Sequence, residues 1–292
     1  MRAIGILRQA ALWLACIGMS VGGISLWRFA SRHARDEYDF WIAYRISNYY
    51  MDYSGFPTTV RTLMGYVSEK NPEFQEPSAL ATYERNVSRR FELKDVAPAD
   101  FLLGKCDLVW FSDGDRRRQE GVNALIRERV KYSLPYLKDM AAACREQDLD
   151  DDVRCMAIKR LMENTDGSVT CSIYDPDVEE GTRLRRNTLL AVSCETNGMV
   201  AVTALQALLF LASADPLVDM NLVERIIADH VIDTSAPQSS RMEAIRLCED
   251  LGTVPLQRVL MRLANDSSEQ DAIRQSASNF LHAIERKKDC RR

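Results

Sequence analysis

The residues whose types and spacing could do chemistry are concentrated after one short apolar run, in the sequence Asp113-Gly-Asp115-Arg-Arg-Arg118. Two carboxylates this close could serve as an acidic catalytic site, and the arginines could contact an anion or a phosphate. The same residues would also make a tight turn followed by the exposed start of a helix. One hypothesis is therefore an enzyme with an acidic site near Asp113 and Asp115, and the simpler interpretation is a structural turn.

Elsewhere the sequence contains few groups for catalysis or metal binding. The three histidines are scattered, and no motif for a nucleophile or for zinc occurs. The pair Gly104-Lys105 lacks the earlier glycine of a phosphate-binding loop. Two acidic runs, 148–152 and 175–179, alternate carboxylates as calcium loops do, but Val153 and Glu180 stand where such loops need glycine. The sequence therefore predicts no catalytic residue, no cofactor and no metal ligand.

Charge and cysteine usage limit the class of protein. The chain has 38 Lys and Arg against 42 Asp and Glu, and five of the arginines lie in residues 1–35, which hold no acid. The rest of the chain therefore sets 33 basic side chains against 42 acidic ones. This balance argues against sequence-independent binding of nucleic acid, which depends on neutralising phosphates. The eight cysteines include no C-x-x-C pair, which favours free, mostly buried thiols in a reducing compartment.

Residues 1–35 are predicted to be a membrane anchor or targeting segment. Residues 10–27 form an uncharged stretch of 18 residues, which as a helix would span about 27 Å of a bilayer core of about 30 Å. We therefore expect a single-pass transmembrane helix that contacts the lipid bilayer through 10–27; a signal peptide or a buried core helix is the alternative. The acid-free, arginine-bearing leader also resembles mitochondrial targeting sequences, so a mitochondrial membrane is favoured over a bacterial inner membrane.

Residues 36–133 are predicted to be a mostly helical, membrane-proximal region with one strand and turn. Eight aromatic residues lie within 36–56, either at the membrane boundary or in an ordinary core. The sequence Ser54-Gly-Phe-Pro57 is expected to end this first helix. Helices are predicted over 58–70, with a cap at Thr58 or Thr59, and over 77–93. A strand is expected at 106–112, after which helix resumes around Glu120.

The second half of the chain repeats one pattern four times. In each copy a central alanine stands four residues from two further positions, which places all three on one drifting helix face. The central residues are Ala157, Ala204, Ala244 and Ala277. The flanking residues are Val153 and Leu161, Val200 and Leu208, Ser240 and Cys248, and Ile273 and Leu281. Each copy follows another predicted helix, at 134–145, 187–194, 222–232 and 255–264, which predicts stacked helical hairpins.

The first copy carries D-x-V-R-x-x-A-x-x-x-L from Asp151 to Leu161, and it resembles the second helix of a HEAT or armadillo repeat. The second copy departs from this pattern because it lacks the arginine, and the third because Ser240 replaces an apolar residue. The resemblance implies an α-solenoid over 134–292 that binds other proteins; a helical bundle without repeats is the alternative. Arginine recurs as Arg154, Arg241 and Arg274. These are candidate contact residues, but the resemblance implies a packing role more often, so no binding residue is predicted.

The predicted fold class is mainly α, with an N-terminal transmembrane helix, a helical region and a C-terminal α-solenoid. This architecture favours a non-enzymatic, membrane-anchored scaffold that is an accessory subunit or assembly factor of a membrane protein complex. Its expected partners are other protein subunits.

A pilus or secretion component is a further alternative to the scaffold. The apolar N-terminal segment, the stretch from Asp52 to Leu63 and the later Phe111-Ser-Asp-Gly114 resemble type II secretion pseudopilins. The processing signal of that family needs a glutamate five residues after its glycine, whereas Ala10 holds this position after Gly5. Assembly in the manner of that family is therefore in doubt.

Overall fold

The computed structural model describes residues 35–163, 176–195 and 198–289. These residues are mainly helical, and they form two compact units. Unit 1 comprises the described residues up to Ala97 together with Gly104–Lys131, and unit 2 comprises Pro98–Leu103 together with those from Tyr132 onward. The anchor predicted at 10–27 lies outside the described residues. Among the helices that are described, none combines the length and the apolar character that crossing a bilayer requires.

The helices follow the chain in the order α1 (35–53), α2 (Val60–Lys70), α3 (Pro77–Ser88), α4 (Pro98–Leu102), α5 (Arg116–Val130), α6 (Leu134–Arg145), α7 (Asp151–Met162), α8 (Pro176–Ser193), α9 (Gly198–Ala212), α10 (Met220–Ile232), α11 (Gln238–Leu251), α12 (Val254–Asn265) and α13 (Asp271–Asp289). A short 3-10 turn lies at Pro72–Phe74. Two strands, β1 (Phe91–Leu93) and β2 (Val109–Phe111), pair antiparallel.

Helices α1 and α2 of unit 1 begin and end where local chemistry predicts. Helix α1 ends at the predicted stop, where Ser54 adopts a positive φ of 53°. Thr59 caps α2 and forms a capping box with Thr62, so the second of the two predicted cap positions is the one used. The four residues predicted to face inward on α2 are all buried, namely Val60, Leu63, Met64 and Val67.

Some aromatic residues of α1 lie in the core, as one of the two interpretations predicts, and others are exposed. Tyr50 is fully buried, and its ring stacks on Phe56 at 4.3 Å between centroids. Phe40, Trp41 and Tyr53 remain 44–51% exposed. Helix α1 therefore contributes both a core face and an exposed aromatic edge.

The helix predicted over 77–93 is wrong at its end, and the strand at 106–112 is shorter than expected. Helix α3 ends at Ser88, and Phe91–Leu93 then pairs with Val109–Phe111. The pairing gives the backbone groups of β2 partners that an isolated strand would lack. Helix α5 also starts four residues before the predicted position, because Asp115 caps its first turn by accepting from the backbone N–H of Arg118.

Unit 2 contains four helical hairpins, which we number 1 to 4: α6 with α7, α8 with α9, α10 with α11, and α12 with α13. Each second helix packs against the next one, so that α7 contacts α9, α9 contacts α11, and α11 contacts α13. All four aligned alanines have zero exposure. A residue this small lets neighbouring helices approach closely at the centre of each hairpin.

The boundaries of the first helices are close to prediction in three hairpins. Helix α6 has the predicted bounds, and α10 and α12 differ from theirs by one or two residues. Helix α8 is much longer than the predicted 187–194, because it begins at Pro176.

Candidate functional site

In unit 1, the acidic turn is built into the fold by hydrogen bonds within its own neighbourhood. Asp113 Oδ1 accepts from the backbone N–H of Asp115, and Asp115 in turn caps α5. The Arg118 guanidinium, which is 10% exposed, donates to both carboxylate oxygens of Asp39 at 2.7 and 2.9 Å. It also lies 3.8 Å from the centroid of the Phe111 ring. Arg118 thereby joins α5 to α1 and to β2, and the two aspartates shape the turn that places it.

The cysteines of the described residues differ partly from expectation. Five of them are free, and only Cys144 and Cys248 are fully buried, whereas Cys194 is exposed. Burial raises the pKa of both buried thiols to about 12, so they stay protonated and pack as small apolar groups. Across the described part of the chain, no three His, Cys, Asp or Glu side chains cluster in a way that could hold a metal ion.

Two of the three candidate contact arginines are buried between hairpins of unit 2. Arg154 on α7 is 2% exposed and donates from Nε to the Cys144 carbonyl at 3.0 Å, which lies at the end of α6. It also forms an ion pair at 2.5 Å with Glu195, in the loop between α8 and α9. Arg154 therefore links one hairpin to the next and offers no exposed group to a partner.

Arg241, in hairpin 3, has the same arrangement and links hairpin 3 to hairpin 4. It is 1% exposed and donates from Nε to the Val231 carbonyl at 3.0 Å, at the end of α10. Its guanidinium pairs with Glu269 in the loop between α12 and α13. Both arginines thus bond a carbonyl ten residues earlier and a carboxylate of the following hairpin. This shared geometry supports the alignment of the copies.

We call this arginine-mediated contact between consecutive hairpins the joint. The two remaining copies show what replaces it. In the second, Ala201 holds the arginine position, and the ring Nε2 of buried His230 lies 2.8 Å from the Ser193 carbonyl at the end of α8. In the fourth, Arg274 pairs with Asp271 of its own helix, whose side chain is 91% exposed. Among the described residues, the arginine therefore links two hairpins only in the first and third copies, where the following hairpin provides a carboxylate.

The exposed apolar residues of unit 2 include a group on its second helices. We call this group the second-helix surface, and its members are Met156 on α7, Met199 and Phe210 on α9, and Met242 on α11. Phe210 is the most exposed of the four, at 57%. Long, polarizable methionine side chains adapt to different neighbours, which suits a surface that binds another polypeptide.

Two grooves flank the exposed side of α9. The groove between α7 and α9 has a volume of about 340 Å³ and is lined by residues that include Met162 and Phe210. The groove between α9 and α11 has a volume of about 420 Å³ and is lined by residues that include Leu209 and Arg246. Gln206 lines both grooves.

The charges of this surface lie at its edges. Helix α9 contains no charged residue, whereas Lys159 and Glu163 border the first groove and Arg246 and Asp250 border the second. The centre also holds a polar contact, since Gln206 donates to the Glu243 carboxylate, and mixed surfaces with a polar rim are usual at protein–protein interfaces. The surface was not identified from the sequence, although α9 carries a signal for it: its two polar residues, Thr203 and Gln206, lie at helical spacing between Met199 and Phe210 and so mark the same side of the helix.

Comparison with known proteins identifies no relative, since no family model, no curated protein and no solved structure matches the chain. The candidate site is therefore defined by the geometry of the second-helix surface alone.

Proposed function

We propose that this protein is a non-enzymatic, membrane-anchored scaffold whose residues 134–292 form a HEAT/armadillo-like α-solenoid. In this proposal residues 1–35 anchor it as a single-pass protein, with a mitochondrial membrane as the first compartment to test. The repeated contacts between consecutive hairpins support the solenoid, since stacking lets each hairpin bury apolar surface that it could not bury alone. The recurring joints at Arg154 and Arg241 support it independently.

The second-helix surface is the observation that carries the binding role. Four large apolar side chains, namely Met156, Met199, Phe210 and Met242, remain 40–57% exposed on three consecutive second helices. Exposed apolar groups on consecutive helices, with Phe210 lining a groove, favour a protein partner, because burying them there removes apolar area from water. We propose that a subunit of a membrane complex docks here and that the protein acts as an accessory subunit or assembly factor.

The test is isolation of the full-length protein from membranes in mild detergent. The double variant M199D/F210D places two charges on the second-helix surface, and we expect it to lose a stoichiometric partner that the unmodified protein retains. M261D is the matched control, because Met261 is 47% exposed on α12, a first helix. A partner retained by M199D/F210D, or lost equally with M261D, would contradict this docking surface. Release of the protein by alkaline carbonate would contradict the anchor separately.

A further inference from the structure

Unit 1 contains an apolar cavity that the proposed scaffold role does not use. It lies between α1, α2 and α3, beside β1, and has a volume of about 130 Å³. Its apolar walls include Ile42, Leu63, Val87 and Phe91, each no more than 5% exposed. An apolar cavity of about 150 Å³ is enough to bind benzene, so this one has room for a short alkyl segment.

Trp41 and Arg45 also line this cavity, and both are accessible to solvent. Trp41 is 46% exposed, and Arg45 is half-buried. The Arg45 guanidinium donates to the hydroxyl of Tyr83 and lies 5.6 Å from the centroid of the same ring. In the described part of the chain no carboxylate lies within ion-pair distance of Arg45. One hydrogen bond leaves most of its five N–H donors available to an anion.

A second arginine adds positive charge near the cavity. The guanidinium of Arg90 lies 4.9 Å from the ring centroid of Tyr38, which lines the cavity, and residue 91 follows directly in its wall. Stacking on an aromatic face holds a guanidinium in place while its edge remains free for hydrogen bonds. Among the described residues Arg90 also has no carboxylate partner. An apolar cavity therefore lies beside two cations that have no carboxylate partner among the described residues.

We propose that this cavity binds an amphipathic anion, namely a carboxylate or phosphate that carries an alkyl chain. The chain enters between Leu63, Val87 and Phe91, and the anionic head accepts hydrogen bonds from Arg45. Carboxylates and phosphates both match the guanidinium fork. Two sources of this chemistry exist, a free fatty acid and an anionic phospholipid of a bilayer. The site does not depend on the scaffold role, since it lies within unit 1.

The binding test uses the full chain in nanodiscs of neutral phosphatidylcholine, with Trp41 as the remaining tryptophan (W13F/W27F/W110F). Titration with octanoate is expected to change Trp41 emission to saturation. R45M should weaken this binding at least tenfold, and V87F should abolish it by filling the cavity while Arg45 stays intact. R61M is the matched control, because it removes an arginine of the same unit whose side chain is 86% exposed, and it should bind as the parent does.

Two readouts complete the test. Circular dichroism must show equal helix content in all variants, so that lost binding is not lost folding. The source of the ligand is tested in nanodiscs with one fifth phosphatidylglycerol. If Trp41 emission is already shifted before octanoate is added, the phospholipid is the ligand. If the octanoate titration is the same as in neutral nanodiscs, the free fatty acid is the ligand. Absence of a saturable signal from both sources, or equal binding by R45M and R61M, would overturn the proposal.

Discussion

The two units differ in the polar groups that are fully buried where neighbouring elements meet, although unit 1 also has a more exposed charged contact, Arg118 with Asp39. In unit 1, fully buried Asn123 joins α5 to β2: its Oδ1 accepts from the backbone N–H groups of Leu108 and Val109, and its Nδ2 donates to the Val109 carbonyl. In unit 2, the buried guanidiniums of Arg154 and Arg241 join consecutive hairpins. A neutral amide used once suits a unit without repetition, whereas stacked hairpins can reuse one charged joint. Removing each joint should therefore lower the unfolding free energy by a different amount and with a different dependence on pH.

The largest loss is expected from R241M in unit 2. Removing the guanidinium leaves the Glu269 carboxylate, 6% exposed, without its cation, and breaking one partner of a buried pair costs about 3–5 kcal/mol of unfolding free energy. Hydrogen exchange of α11 and α13 in the full-length protein measures this loss. R274M is the control at the equivalent position of the fourth copy, where the exposed pair should contribute less than about 1 kcal/mol. Equal losses for R241M and R274M would show that the joint has no special role.

The corresponding change in unit 1 is N123L. Leucine is similar in size but leaves two backbone N–H groups and one carbonyl of the strand region without this partner, at a cost of about 2–3 kcal/mol in total. Exchange of the β1 and β2 amides should increase while α11 and α13 are unaffected. N86L changes an exposed asparagine of α3 in the same unit and should be nearly neutral. A neutral N123L would mean that water replaces the amide at no cost.

The sequence predicts best what depends on residues close together in the chain. The cap at Thr59, the buried face of α2 and the four buried alanines follow from spacings of three or four residues. The pairing partner of β2 was missed, because a three-residue strand has no periodicity of its own and β1 lies 18 residues earlier.

The candidate site was less predictable than the fold for the same reason. The carboxylates that pair with Arg154 and Arg241 lie 41 and 28 residues further along the chain, so local spacing does not reveal that the arginines are buried. The exposed side of α9 is set by its packing against α7, α8 and α11, and within its own sequence only Thr203 and Gln206 mark that side.

A smaller loss, of about 1–3 kcal/mol, is expected from G198A in unit 2. A Cβ at residue 198 would lie 2.2 Å from Ser240 Oγ and 2.6 Å from its Cβ, so the start of α9 would have to move away from α11. This close approach requires a small side chain at residue 240, and the Ser240 hydroxyl donates to the Pro237 carbonyl at 2.7 Å. G121A in α5 of unit 1 meets nothing within 4 Å and should instead stabilise by about 0.5–1 kcal/mol. Chemical denaturation measures both, and a stabilising G198A would contradict the packing.

The smallest effect is a difference in pH dependence between the two joints. The Arg241 guanidinium holds the pKa of Glu269 below its usual value of about 4.3. A depressed carboxyl pKa adds stability that is fully present above the usual pKa and is lost as the pH falls through the folded-state pKa. The stability difference between the unmodified protein and E269Q should therefore be constant above about pH 5 and shrink below about pH 4, as urea unfolding can measure. Asn123 carries no titrating group, so the stability loss caused by N123L should stay constant over the same pH range. Parallel pH profiles for E269Q and N123L would show that charge does not distinguish the two joints.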